Sequence, residues 1–223
     1  TGNLQIPTSS ATSGVIYSGA DRYIHNFGTN NFFAGVNAGN LTMTGSGNMG
    51  VGANALTSIT TGYNNMAFGP GALQYTTTGY ENMAIGTGAL QWNYTGLSNV
   101  AVGTYALKNN NSSFSGGNSN TAIGWSALES NNSGSNNTGI GYRVLRSNTS
   151  GSNNIALGRL AGDNITSGSN NLIIGYDIDA PSATGSNQLS IGNLIYSAGV
   201  DGVRTGFSSG NLGVSSSTPL AGP

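Results

Sequence analysis

One short apolar phrase, always closed by glycine, recurs along this chain at a fixed interval, and few folds accommodate that. It reads "NMAFGPGAL" at 65–73, "NMAIGTGAL" at 82–90, "NVAVGTYAL" at 99–107 and "NTAIGWSAL" at 120–128. The closing residue falls at Gly52, Gly69, Gly86, Gly103, Gly124, Gly141, Gly158, Gly175 and Gly192, with spacings of 17, 17, 17, 21, 17, 17, 17 and 17. A second glycine precedes each anchor by seven residues, and counting back 17 from Gly52 adds Gly35 and Gly28. A fixed period of this kind is the signature of stacked structural repeats.

The Asn that opens each phrase defines position 1 of a coil: Asn31, Asn48, Asn65, Asn82, Asn99, Asn120, Asn137, Asn154 and Asn171, with Gln188 in the last coil. Positions 2 and 4 are apolar in most coils, while position 3 between them is mostly Ala or Gly. That alternation is strand periodicity. Ala-Leu at positions 8 and 9 adds a second apolar stroke, and the remaining Asn, Ser, Thr and Gly are turn chemistry. A unit of 17 residues is too short for a helix pair. It suits an all-β parallel β-solenoid or β-roll, each strand pairing with its equivalent in the next coil. About ten such coils, at ~4.8 Å each, predict a rod of roughly 50 Å.

Several finer expectations follow from the register. Phe68, Ile85 and Val102 share position 4 and are predicted to form one buried column, as are Ile140, Leu157 and Ile174. The glycines mark turns that need positive φ or close backbone approach. The Asn column reads as an amide ladder along the axis, the simpler alternative being turn preference alone. The 21-residue spacing places an insertion within 108–119, on a turn predicted to face solvent. Residues 1–27 then form a cap or connector, 28–202 the repeats and 203–223 a spacer or tail.

Composition excludes some functions. Only 6% of residues are charged, against about 25% in ordinary domains. Six scattered basic residues build no basic stripe for nucleic acid. Apolar runs such as Leu172-Ile173-Ile174 fall far short of the roughly 20 residues of a membrane span. Cysteine is absent, removing disulfides and thiolate metal sites. Low charge and abundant Gly and Ser also suit disorder, but the apolar residues are periodic. Beginning at Thr1 without Met or a signal sequence, the chain reads as a processed product or fragment.

The repeated "NTAIG…AL…N.TG.NN" resembles the head repeats of trimeric autotransporter adhesins and, more closely, the repeats of phage tail fibres and related bacterial surface fibres. The resemblance spans about residues 28–202, and "GNLGVSSSTP" at 210–219 resembles the spacer that often follows such repeats. It implies a homotrimeric extracellular fibre on a virion or bacterial surface. Many such fibres carry a C-terminal, self-cleaving chaperone of the endosialidase type, and none is present in this sequence. One departure is that adhesin head repeats are typically shorter than 17 residues, so coil shape and subunit packing are expected to differ. Trimerisation also has a physical warrant. Position 3 points away from positions 2 and 4, and both sides lack charge, so lining the coil with one leaves the other against water. Such a stripe exceeds what soluble monomers usually expose, and three chains about one axis would bury it. The competing picture puts positions 2 and 4 inside a monomer and small Ala outside.

Catalytic candidates are poor, and no enzyme activity is expected. His25 is the only histidine, and "RYIHNFG" around it supplies no nucleophile motif, so it reads as a polar residue of an N-terminal cap. Asp163, Asp177 and Asp179 alone among seven carboxylates lie near one another in adjacent coils. A weak cation site there competes with the plainer reading of solvated surface acids. "GSGNMGVG" at 45–52 lacks the Lys-Ser/Thr and following helix of a phosphate loop. No cofactor is expected. Aromatic columns are more informative: Trp125, Tyr142, Arg159 and Tyr176 share position 6 in successive coils, Tyr63 and Tyr80 share another column, and Tyr75 and Trp92 a third, with Tyr94 close by. They read as subunit contacts or covers for strand edges, or as platforms for a cell-surface glycan or receptor. Three functions follow: a structural and adhesive fibre segment, an ice-binding solenoid, and a glycan-degrading tailspike. The second needs a regular Thr column, which Ser, Asn and Ala interrupt; the third needs paired carboxylates near a groove, which are not recognisable. The fibre segment is the reading adopted.

Overall fold

The structure, a computed structural model, describes residues 14–111 and 116–192, together with the backbone of 195–197. The tail assigned to 203–223, Gly202 and the insertion's residues 112–115 lie outside the described residues. Two strands, β1 (Ile16–Ser18) and β2 (Asp21–His25), open the chain. Ten three-residue strands follow: β3 (Phe32–Ala34), β4 (Met49–Val51), β5 (Met66–Phe68), β6 (Met83–Ile85), β7 (Val100–Val102), β8 (Thr121–Ile123), β9 (Thr138–Ile140), β10 (Ile155–Leu157), β11 (Leu172–Ile174) and β12 (Leu189–Ile191). β13 (Ile195–Ser197) closes the sheet. Sheet order equals chain order, and β3 to β12 are all parallel, each pairing with its equivalent one coil on. The chain is therefore an all-β parallel β-solenoid, and no helix occurs among the described residues. "GSGNMGVG" is one of its coils, built around β4. The insertion leaves the register intact, since Val100 still pairs with Thr121 and Val102 with Ile123.

The inward side of the strand is position 3. Ala67, Ala84, Ala101 and Ala122 are wholly buried there, facing Leu73, Leu90, Leu107 and Leu128 at position 9, also wholly buried. This corrects the expected burial of position 4. Phe68, Ile85 and Val102 do align across β5, β6 and β7, as do Ile140, Leu157 and Ile174 across β9, β10 and β11, but on the outer face. Ile85, Ile140 and Leu157 are 38–45% exposed. The reason is width: with Leu projecting from the opposite wall, only a small side chain fits at position 3. Where position 3 grows, its partner shrinks. Phe33 occupies the place where Gly39 has no side chain, and a Cβ on Gly39 would lie 2.6 Å from the Phe33 ring carbon Cδ1.

The second apolar stroke is buried as well, on a different backbone. Ala-Leu at positions 8 and 9 lies in turns, not in a second strand. Leu56, Leu73, Leu90, Leu107, Leu128 and Leu145 adopt φ between 48° and 53°. That left-handed conformation costs a non-glycine residue about 1–2 kcal/mol, and full burial of a Leu, worth about 1.5–3 kcal/mol, offsets it.

The antiparallel β1–β2 hairpin covers the first coil. His25 is 3% exposed, with its ring 4.8 Å from that of Phe33. Its Nε2 donates to Ala38 O at 2.8 Å while Nδ1 accepts from the Phe27 N–H at 3.3 Å. That assignment requires the neutral ring, and burial, with help from the charge of Arg22 and against the Ala38 bond, lowers its pKa below the ordinary 6.5. The unfolded chain thus takes up the proton first. The contribution of neutral His25 is complete above pH 6.5 and is lost as pH falls from there through the lower folded-state value. Protection of the Ile24 and Phe33 amides, measured as exchange relative to the intrinsic rate at each pH, is expected to fall over that range, and His25→Gln should abolish the fall; protection independent of pH in the unaltered protein would contradict this.

Candidate functional site

The solenoid interior is polar along two lines and sealed. At position 1, each Asn Oδ1 accepts the backbone N–H of the next coil's Asn, as from Asn65 to Asn48 (3.1 Å), Asn120 to Asn99 (2.9 Å) and Asn171 to Asn154 (3.0 Å). Its Nδ2 donates to a position-15 glycine carbonyl, as from Asn82 to Gly96, Asn99 to Gly117 and Asn137 to Gly151, each 2.8 Å. The amide ladder is thus present, and it runs chiefly from side chain to backbone. A second buried ladder had no counterpart in the sequence reading. Asn93, Asn110, Asn131 and Asn148 at position 12 are linked by Nδ2–H···Oδ1 bonds of 2.8, 2.7 and 2.9 Å. Both ladders converge on the same carbonyls: Gly134 O accepts from Asn120 at 2.9 Å and from Asn131 at 2.8 Å. The signal was available, because position 12 holds the buried Ile59 and Ile165 in other coils.

The outer surface divides by chemistry. Positions 2 and 4 of β3 to β12 form an uncharged strip of Phe, Met, Val, Ile, Leu, Ala and two Thr. Eight of these side chains, Phe32, Met49, Met83, Ile85, Ile123, Ile140, Ile155 and Leu157, are 36–49% exposed. Over nine steps of ~4.8 Å the strip runs roughly 43 Å.

Beyond the glycine turn, position 6 carries a second feature. The Trp125 and Tyr142 rings stack with centroids 5.1 Å apart. Arg159 Cζ lies 5.4 Å over Tyr142 and 5.2 Å over Tyr176, and its Nη1 donates to Tyr176 Oη at 3.0 Å. Arg143 lies 5.0 Å over Trp125 and 5.4 Å over Tyr142. Elsewhere Tyr75 stacks on Trp92 at 4.1 Å, with Tyr94 tilted 6.5 Å and 6.3 Å from them, and Tyr63 stacks on Tyr80 at 4.7 Å. The columns predicted from the register are therefore stacks. Ring faces that cover one another cannot also stack on a sugar, which leaves the edges and the outer faces of the end rings for contact.

Of the candidate catalytic groups, His25 lies in the cap, while Asp163, Asp177 and Asp179 come close enough to interact. Burial and then the charge of Asp179 raise the Asp163 pKa, with a hydrogen bond from protonated Asp163 to Asp179 and the charge of Asp177 adding to it and Arg146 opposing. No group of three or more His, Cys, Asp or Glu among the described residues is placed to hold a metal ion. A cleft of about 150 Å³ beside the cap, lined by Gly14, Ile24, His25, Asn26 and Phe32, is smaller than the roughly 300–1,000 Å³ of small-molecule sites. Among the described residues no helix is long and apolar enough to cross a membrane. Fold and surface together define the class: a parallel β-solenoid repeat protein with an amide-laddered core and one apolar face. Comparison with protein-family models, curated proteins and solved structures found no match.

Proposed function

We propose that this chain is a non-enzymatic structural segment of a homotrimeric extracellular fibre, on a virion or a bacterial surface, that serves attachment. The observation that carries the reading is the uncharged strip at positions 2 and 4. A contiguous apolar surface of that length is more than soluble monomers usually leave exposed. It has two parallel columns, so each chain can pack its position-2 column against the position-4 column of the next. Such a heterologous contact closes into a ring when the rotation allows, and three copies bring like residues to the same level at every coil. The resemblance of the repeats to fibre repeats supports three as the number and the outside of a cell or virion as the place.

Light scattering or mass photometry on the purified segment tests the assembly. A trimer is expected at micromolar concentration. Ile123 is 39% exposed on β8, so Ile123→Asp should leave the single chain's fold intact and break the trimer. A stable, folded monomer of the unaltered chain would overturn the reading.

A further inference from the structure

The position-6 seam has a property that neither the fold nor the apolar strip requires. Arg159 is exposed, yet its guanidinium is held between the rings of Tyr142 and Tyr176 and bonded at Nη1 to the Tyr176 hydroxyl. Stacking occupies its two faces and leaves its edge donors as the free chemistry. Arg143 adds a second positive charge alongside, and its Nε is buried without a hydrogen-bond partner. Neither arginine makes an ion pair among the described residues, where Arg146 pairs with Glu129 instead. Two oriented cations without an ion pair, in a chain that is 6% charged, have donors to offer an anion.

We propose that this seam binds an acidic polysaccharide through the carboxylates of uronic acid units. A planar donor fork matches a carboxylate in two-point fashion, and holding it in place beforehand removes much of the ordering cost of binding. Trp125 and Tyr142 are each 39% exposed and Tyr176 67%. Tyr142 is covered on both faces, by Trp125 and Arg159, and the three rings offer an indole N–H and phenol hydroxyls at their edges, which suits a hydroxylated ligand. These groups repeat at the coil pitch, close to the rise of one sugar in an extended chain, so a linear polymer aligned with the solenoid meets a new contact at each level. The proposal rests on the attachment reading for its purpose, but the site lies within one chain and does not need the trimer.

The test is calorimetric titration of the intact protein with oligogalacturonate and with its methyl ester, with light scattering on the same samples. The acid form should bind, more weakly as salt rises, and the ester at least tenfold more weakly. Arg159→Gln should lose at least tenfold in affinity, and Arg159→Lys most of that, because a point charge replaces the fork. The proposal is overturned if the acid form does not bind, if ester and acid bind alike, or if Arg159→Gln binds unchanged. Oligoglutamate binding as tightly as the uronate would also overturn it, by pointing to an acidic peptide. A changed oligomeric state in Arg159→Gln would overturn it too, by making the seam a subunit contact. Scattering reports assembly independently, so failure of the trimer and failure of the ligand site are told apart.

Discussion

Gly69→Ala is expected to destabilise the chain severely, whereas Gly71→Ala, two residues on in the same turn, should cost only about 1 kcal/mol. Both glycines have positive φ, 133° at Gly69 and 67° at Gly71. The difference lies in what a methyl group would meet. At Gly69 it would sit 2.6 Å from Gly86 O and 2.7 Å from Gly86 C, atoms of the next coil's backbone. Those atoms cannot move without opening the stack at that level. At Gly71 it would meet only the amide ends of Gln74 and Gln91, at 3.4 and 3.6 Å, which swing away. Other coils already place Tyr105, Ser126 and Arg143 at the equivalent of Gly71, with φ of 60°, 51° and 53°. Backbone strain of about 1–3 kcal/mol adds to overpacking of similar size, so roughly 4 kcal/mol is expected at Gly69. At about 2–4 °C per kcal/mol in a chain of this size, the melting temperature should fall by roughly 10 °C or more. Thermal denaturation of the two variants in parallel decides it, and equal losses would refute the close-approach account.

The other large effect should come from the amide ladder. Asn154→Ala removes the donor to Gly168 O at 2.8 Å and the acceptor for the Asn171 N–H at 3.0 Å. Both are buried, and each orphaned group costs about 1–3 kcal/mol, giving a loss of roughly 2–6 kcal/mol. Asn154→Asp has the same shape and keeps the acceptor, but it sets a carboxylate against the Gly168 carbonyl and should be no better at neutral pH. Asn153→Gly is the contrast. Asn153 is exposed, its side chain bonds to that of Asn170, at 3.1 Å, and its φ is 57°, so glycine there, which keeps the backbone bond to Ser135 O, should be close to neutral. Chemical denaturation with a two-state fit measures all three; an Asn154→Ala variant as stable as Asn153→Gly would mean the ladder is decorative.

Pitch, register and the all-β class were legible in the residues alone, because a stack of coils makes the same demand at every level. Glycine recurs at position 5 because the next backbone lies against it. Asparagine recurs at position 1 because only a side chain with both donor and acceptor links two coils. Requirements of that kind are written once per turn and need no knowledge of the whole. Which side of each strand faces inward was not legible. Alternation with period two defines two faces and is silent on which one is buried: large residues at position 4 pointed to one, and the trimer argument to the other. The answer lay across the coil, where Leu73, Leu90 and Leu107 enter from left-handed turns and leave room only for Ala67, Ala84 and Ala101. For the ladder of Asn93, Asn110, Asn131 and Asn148 the residues themselves gave no sign, since an inward Asn and a turn Asn are spelled alike, and only Ile59 and Ile165 in the same column pointed inward. The aromatic columns could be aligned by number, but only the packing turned Trp125, Tyr142 and Arg159 face to face. Sequence spacing decides which residues share a level, whereas the closure of the coil decides which of them face inward.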